Sequence, residues 1–125
     1  MKITPDELSD LAITGHGIGW IEVNGVKHES SLLVTASGSK ETIAISHVQS
    51  LTLDDFRYLA DLPVDIALLG TGHHQQFIPP NLLVPLMNKG IGFESMSTAA
   101  ACRTFNVLAS EGRKVGALLL LPIES

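Results

Sequence analysis

The chain has 125 residues, a length that fits one domain spanning residues 1–125. With 45% hydrophobic and 17% charged residues it lies far from the composition of disordered proteins, and the single cysteine, Cys102, excludes an internal disulfide and any multi-cysteine metal site. Eight Lys plus Arg against thirteen Asp plus Glu leave a net charge of −5, and the basic residues are scattered apart from Arg113-Lys114, so nothing resembles a footprint for phosphate backbones and nucleic acid is not expected as a partner.

The opening residues, Met1 to Glu7, turn acidic before any apolar run begins, and the longest late run, Ala117 to Leu121, is too short for a bilayer. The expectation is a cytoplasmic protein without membrane insertion. Gly15-His16-Gly17-Ile18-Gly19 gives the backbone freedom at the start of a strand. Asn24-Gly25 then predicts a two-residue type I′ hairpin, since both residues tolerate positive φ. That turn pairs Val23 with Val26, Glu22 with Lys27 and Ile21 with His28, which puts Ile21, Val23 and Val26 on a buried face and His28 at the core edge. Leu32–Ala36 and Thr42–Ile45, separated by Ser37-Gly38-Ser39, read as a second hairpin.

After residue 50 the apolar period becomes helical. Thr52 is an N-cap with Asp55 at the third helical position, Leu51 and Phe56 are placed as a hydrophobic staple, and Phe56, Leu59 and Ala60 form the apolar stripe of a helix that Pro63 stops. Val64–Leu69 predicts a central strand ending in Gly70-Thr71-Gly72. Pro79-Pro80 opens a helix that ends at Lys89-Gly90 and is kept short or bent by Pro85. Ile91–Ser95 is the next strand, and Ser97 or Thr98 caps the longest helix, which Gly112 terminates. Along it Ala101, Cys102, Phe105, Leu108 and Ala109 share one stripe, and Val115–Leu121 is a last, buried strand. Strand, helix, strand, helix, strand predicts an α/β fold with a mainly parallel sheet, on which the N-terminal antiparallel β-meander packs or which it extends. The Gly70–His74 and Glu94–Thr98 loops are then neighbours at one sheet edge, where open α/β sheets bind ligands.

No strong catalytic, cofactor or metal motif occupies that edge, and no cofactor is expected. Gly70-Thr71-Gly72 lacks the third glycine of a dinucleotide fingerprint, since Gln75 stands in its place. His73-His74 lacks a third ligand, so no metal site is assigned. Cys102 lies on an apolar stripe as a packing group, and no strained Gly-x-Ser-x-Gly elbow is present. The start of the long helix favours an anion, which Glu94 close by opposes. Glu94 and Glu111 stand at opposite ends of that helix, too far apart for a two-carboxylate mechanism. Asn106, at the margin of the stripe, serves a neighbouring loop or faces a pocket.

The composite Gly70-Thr71-Gly72, Gly90-Ile91, Glu94-x-Met96-x-Thr98, Ala101, Thr104-Phe105-Asn106-Val107-Leu108 and Glu111-x-Arg113-x-Val115 resembles a small α/β family first named from a methanogen protein of unknown function. That family includes a mitochondrial assembly factor for respiratory complex I and an adipogenesis-associated animal protein. The resemblance implies a three-layer α/β fold with a mixed central sheet and flanking helices, in which one of the expected parallel strands runs antiparallel. It implies no established enzymatic activity. The site candidates it carries over are Gly70, Thr71, Gly72, Glu94, Thr98, Asn106 and Arg113, and Phe105 stands where relatives often carry Tyr.

The expected function is that of a non-catalytic binding or assembly module, whose protein partner meets the two strand-end loops. The alternative is a small-molecule or anion-binding protein, or a small enzyme, with a pocket at residues 70–74 and 94–98. A bulky residue at Thr71 or Thr98 should then weaken partner capture with little effect on the thermal midpoint. A free edge strand in the meander leaves room for a homodimer.

Overall fold

A computed structural model describes residues 11–121; the acidic opening segment Met1 to Glu7 lies outside them. The first strands, β1 (Ile13–Gly17), β2 (Trp20–Val23) and β3 (Val26–His28), form a three-stranded antiparallel meander. Its second turn is the expected type I′, with φ of 48° at Asn24 and 84° at Gly25, and the register pairs Val23 with Val26, Glu22 with Lys27 and Ile21 with His28 as predicted. One expectation fails: Ile21 and Val23 are buried but Val26 is 55% exposed. Val26 opens the edge strand, so nothing beyond it closes over the side chain.

A second sheet has the order β5 (Lys40–Ile43), β4 (Ser31–Thr35), β8 (Val115–Leu119), β6 (Ile66–Gly70), β7 (Gly92–Met96). The three strands of the second half, β6, β7 and β8, all run parallel, so the expected antiparallel member is not among them. Antiparallel pairing instead enters where β4 joins β8, because β4 arrives from a hairpin rather than from a helical crossover. The strand following Pro63 begins two residues later than predicted, at Ile66, and runs on to Gly70.

Side chains on the two faces of this sheet build two separate cores, as strand alternation requires. On one face Leu32, Val34, Leu68, Ala117 and Leu119 meet α3 (Thr98–Ser110) and the inner side of the meander. On the other, Leu33, Leu69, Leu118 and Leu120 meet α1 (Leu53–Ala60) and α2 (Val84–Asn88). The result is the three-layer arrangement. Helix α1 carries the expected capping box: the Asp55 amide donates to Thr52 Oγ1 at 3.4 Å and the Thr52 amide to Asp55 Oδ2 at 2.7 Å. The chain after Pro79 enters as a 3-10 turn, Pro80–Leu83, before α2, a split that Pro85 at the start of α2 allows. Ser97 rather than Thr98 caps α3, accepting from the Ala100 amide at 3.2 Å, and Gly112 ends it at a φ of 78°.

Beside this apolar packing, the side chain of Asn106 hydrogen-bonds α3 to the meander. Asn106 accepts from the Ile13 amide at 2.9 Å and donates to the Ile13 carbonyl at 2.7 Å, a reciprocal pair that occupies both ends of its amide. Among the described residues no helix is long and apolar enough to cross a membrane.

Candidate functional site

The parallel strands β6 and β7 open their carboxyl ends side by side, and the loops leaving them are stitched together. The Thr71 amide donates to the Met96 carbonyl at 2.8 Å, and the Thr98 amide to the Gly72 carbonyl at 2.8 Å. Thr98 Oγ1 accepts from the Gly72 amide at 2.8 Å and donates to the Leu120 carbonyl at 2.6 Å, tying the loop, the helix start and the end of β8 at one buried point. Gly70 is required there: a Cβ would stand 2.9 Å from the Thr98 Cα, so the start of α3 approaches as closely as bare backbone permits.

Thr71 is equally committed. Its hydroxyl hydrogen is shared between the carbonyls of His74 at 2.7 Å and Met96 at 3.0 Å, while its oxygen accepts from the Gln76 amide at 3.2 Å. Thr71 and Thr98 are both buried, so they frame the site from beneath. The expectation that bulky replacements there spare stability is therefore wrong, since a larger side chain has no room among these bonds.

Above this junction a cavity of about 240 Å³ lies between the β1–β2 turn and the beginning of α3. His16, Ile18 and Trp20 form one wall, Gly72, His73 and Ala99 another, with Leu121 beneath. The seating of Trp20 explains two of the three glycines that precede it, Gly15 and Gly17. A Cβ on Gly17 would overlap the indole, and one on Gly15 would stand 3.4 Å from it, so these two clear space for a flat ring, while Gly19, at a φ of 77° directly before β2, supplies the backbone freedom expected at a strand start. Lys27 Nζ lies 4.5 Å from the ring centroid and holds the indole from above. A second hollow, of about 340 Å³, flanks the same loop and is bordered by His47, His73, His74 and Gln76. The rings of His73 and His74 meet edge to face with centroids 4.6 Å apart.

The carried-over candidates thus divide. Gly70, Thr71, Gly72 and Thr98 converge at the junction, and Glu94 is exposed on the neighbouring edge strand β7. Asn106 is spent on the meander, and Arg113 lies past the far end of α3. Cys102 is buried on the inner face of α3, where loss of water pushes its thiol up to about 11. Among the described residues no group of three or more His, Cys, Asp or Glu could hold a metal ion. Sequence reasoning missed Ile18 and Trp20; the available signal was the chain's only tryptophan following Gly15-x-Gly17 across a tight turn.

A family model described as a protein of unknown function (DUF498/DUF598) matches residues 13–120. An uncharacterised protein of Rhodobacter capsulatus is 39% identical over 110 residues, covering 88% of this chain and 84% of the relative. NADH dehydrogenase (ubiquinone) 1 alpha subcomplex assembly factor 3 of Bos taurus is 32% identical over 80 residues, or 62% of this chain. The match spans 44% of that assembly factor, less than half its length. The solution structure of a Bordetella pertussis protein described as an Mth938-like domain superposes with a TM-score of 0.81 at 28% identity, covering 100% of this chain and 94% of that one.

Proposed function

Because the chain belongs to the DUF498/DUF598 family of unknown function, in which the relatives include assembly factors, we propose that it is a non-catalytic module that binds a protein during assembly of a larger complex. The observation that carries this reading is the state of the residues on which chemistry would depend. The Thr71 and Thr98 hydroxyls are consumed by backbone partners and the Cys102 thiol is held protonated in the core. The cleft above them instead offers an apolar seat with the 71%-exposed Ile18 on its rim, as a protein contact needs. The proposed location is the cytoplasm, and nucleic acid has no part in the reading. A homodimer through an exposed edge strand is a further state that light scattering across concentration would detect.

Affinity capture from the organism that makes the protein tests the assembly reading. Ile18→Glu should lose the captured partner while its thermal midpoint stays close to that of the parent, because this side chain is already in water. Retention of the same partners by the variant would remove the cleft from the interface. The second reading, a small-molecule site, is favoured by the mainly apolar lining of the same 240 Å³ cavity. A fragment screen by NMR decides it: shifts clustered at residues 16–21, 72–74 and 98–99 support it, and no hits anywhere exclude it.

A further inference from the structure

Asn24-Gly25, the pair that sets the hairpin turn, is also the dipeptide in which a backbone nitrogen is least hindered from attacking the side chain before it, because glycine carries no Cβ. Both residues are exposed. Three restraints surround them. The first central residue of a type I′ turn has a ψ of about +30°, which sets the Gly25 nitrogen nearly anti to the Asn24 Cβ and away from Cγ. The Gly25 amide donates to Thr14 Oγ1 at 2.9 Å, and that hydroxyl donates in turn to Glu22 Oε2 at 2.8 Å. Thr14 reaches this position because it is the extra residue of a bulge: Ile13 pairs with Val23 and Gly15 with Glu22, which leaves Thr14 outside the ladder. Ala12 supplies the third restraint, its amide donating to Asn24 Oδ1 at 2.9 Å and its carbonyl accepting from the Asn24 amide at 3.0 Å. The next residue, Ile13, is the one whose amide and carbonyl are both held by Asn106. A short relay of bonds thus runs from α3 through Ile13 and Ala12 to the turn.

We propose that Asn24 is a site of covalent self-modification, closed while the meander is docked on α3 and open when the meander lifts. In the opened turn the Gly25 nitrogen attacks Asn24 Cγ. The N–Cγ bond forms, the Cγ–Nδ2 bond breaks, and Nδ2 leaves as ammonia, carrying the proton that the Gly25 amide gives up. The product is a five-membered succinimide, which water then opens at one of its two carbonyls. Addition at Cγ leaves aspartate, whereas addition at the main-chain carbonyl leaves isoaspartate, with the backbone routed through the side chain and longer by one carbon. A two-residue turn fixed by the positive φ of both its residues has no place for that carbon, so the isoaspartyl chain cannot remake the bonds from Asn24 to Ala12. The start of β1 stays released, and with it the wall that Ile18 and Trp20 give the cavity. The modification is a one-way record of meander release, and it stands whether or not the cavity receives a protein.

Incubation of the full chain in mildly alkaline buffer, followed by peptide mapping with mass spectrometry, reads the replacement of the Asn24 amide by a carboxyl, and enzymatic methylation specific for isoaspartate separates the two products. The folded chain should react at least roughly tenfold more slowly than the same chain unfolded in urea, because a closed turn reacts only during the fraction of time it is open. Asn106→Leu, which frees Ile13 from α3, should raise the folded rate roughly fivefold, and Thr14→Val, at an exposed position where folding is not at stake, should raise it roughly threefold by releasing the Gly25 amide. Asn24→Gly keeps a residue suited to positive φ but has nothing to attack, so it should show no conversion and, after the same incubation, unchanged hydrogen exchange in β1. The parent chain carrying isoaspartate should exchange the β1 amides faster than the fresh chain. Equal rates in the folded and unfolded chains, no acceleration in Thr14→Val or in folded Asn106→Leu, no conversion of Asn24 in the unfolded chain, or β1 amides as protected in the isoaspartyl product as in the fresh chain would each overturn the proposal.

Discussion

Thr98→Val is the sharpest test of how the strand-end junction is held. Valine matches threonine in shape and is more apolar, so a view based on burial alone expects it to be neutral or stabilising in a site that is 7% exposed. The bonding pattern says otherwise. Without the hydroxyl, the Gly72 amide loses its acceptor at 2.8 Å and the Leu120 carbonyl loses its donor at 2.6 Å, and both groups stay buried under α3. A buried polar group left unpaired costs about 1–3 kcal/mol, so two of them give about 2–4 kcal/mol after partial relaxation. For a chain of this size that lowers the thermal midpoint by roughly 10 °C. Urea denaturation followed by the fluorescence of Trp20 measures the loss, and Thr98→Ser, which keeps the hydroxyl and loses only a methyl, serves as the control at about 1 kcal/mol. A valine variant as stable as the parent, or more stable than the serine variant, would refute the reasoning.

Gly70→Ala should cost about 1–3 kcal/mol in the same assay, because its Cβ would stand 2.9 Å from the Thr98 Cα and 3.2 Å from the Ala101 Cβ; a neutral result would mean that α3 can retreat from β6. Asn106→Leu should remove both bonds to Ile13 and raise hydrogen exchange throughout β1 and β2 while leaving the β6–β8 amides protected, and uniform exchange across both sheets would contradict a local clasp. Cys102 should resist iodoacetamide at pH 8 until the protein unfolds, since the neutral thiol is favoured in the core. The folded thiol titrates near 11 against an ordinary value of 9.0, so its contribution to stability is complete below about pH 9 and disappears as pH rises toward 11, and Cys102→Ala should flatten that alkaline decline.

Much of the fold was legible because several signals are local. Asn24-Gly25 dictates its turn through two positive φ angles, and Thr52 with Asp55 dictates a helix start through reciprocal bonds three residues apart. The apolar strands of the second half announce a covered sheet by composition alone. What could not be read depends on partners distant in the chain. Nothing near Val26 tells that no element covers it, and nothing near Thr98 tells that its hydroxyl faces Leu120, 22 residues onward, rather than capping its own helix. The site followed the same division. The meeting of the 70–74 and 94–98 loops followed from parallel strands, whereas the wall supplied by Ile18 and Trp20 required knowing that the meander lies across the start of α3.

The placement of β8 bears on the order in which this polypeptide can acquire structure. Its neighbours are β4 on one side and β6 on the other, so the last described strand in chain order occupies the centre of the sheet. During translation, Leu32–Val34 has no stable cover until Leu119 has emerged from the ribosome, and the greasy hairpin around it remains open to chaperones or to sticking. The sheet therefore closes only once β8 has joined it, which makes the fold sensitive to anything that delays or removes the segment Val115–Leu119.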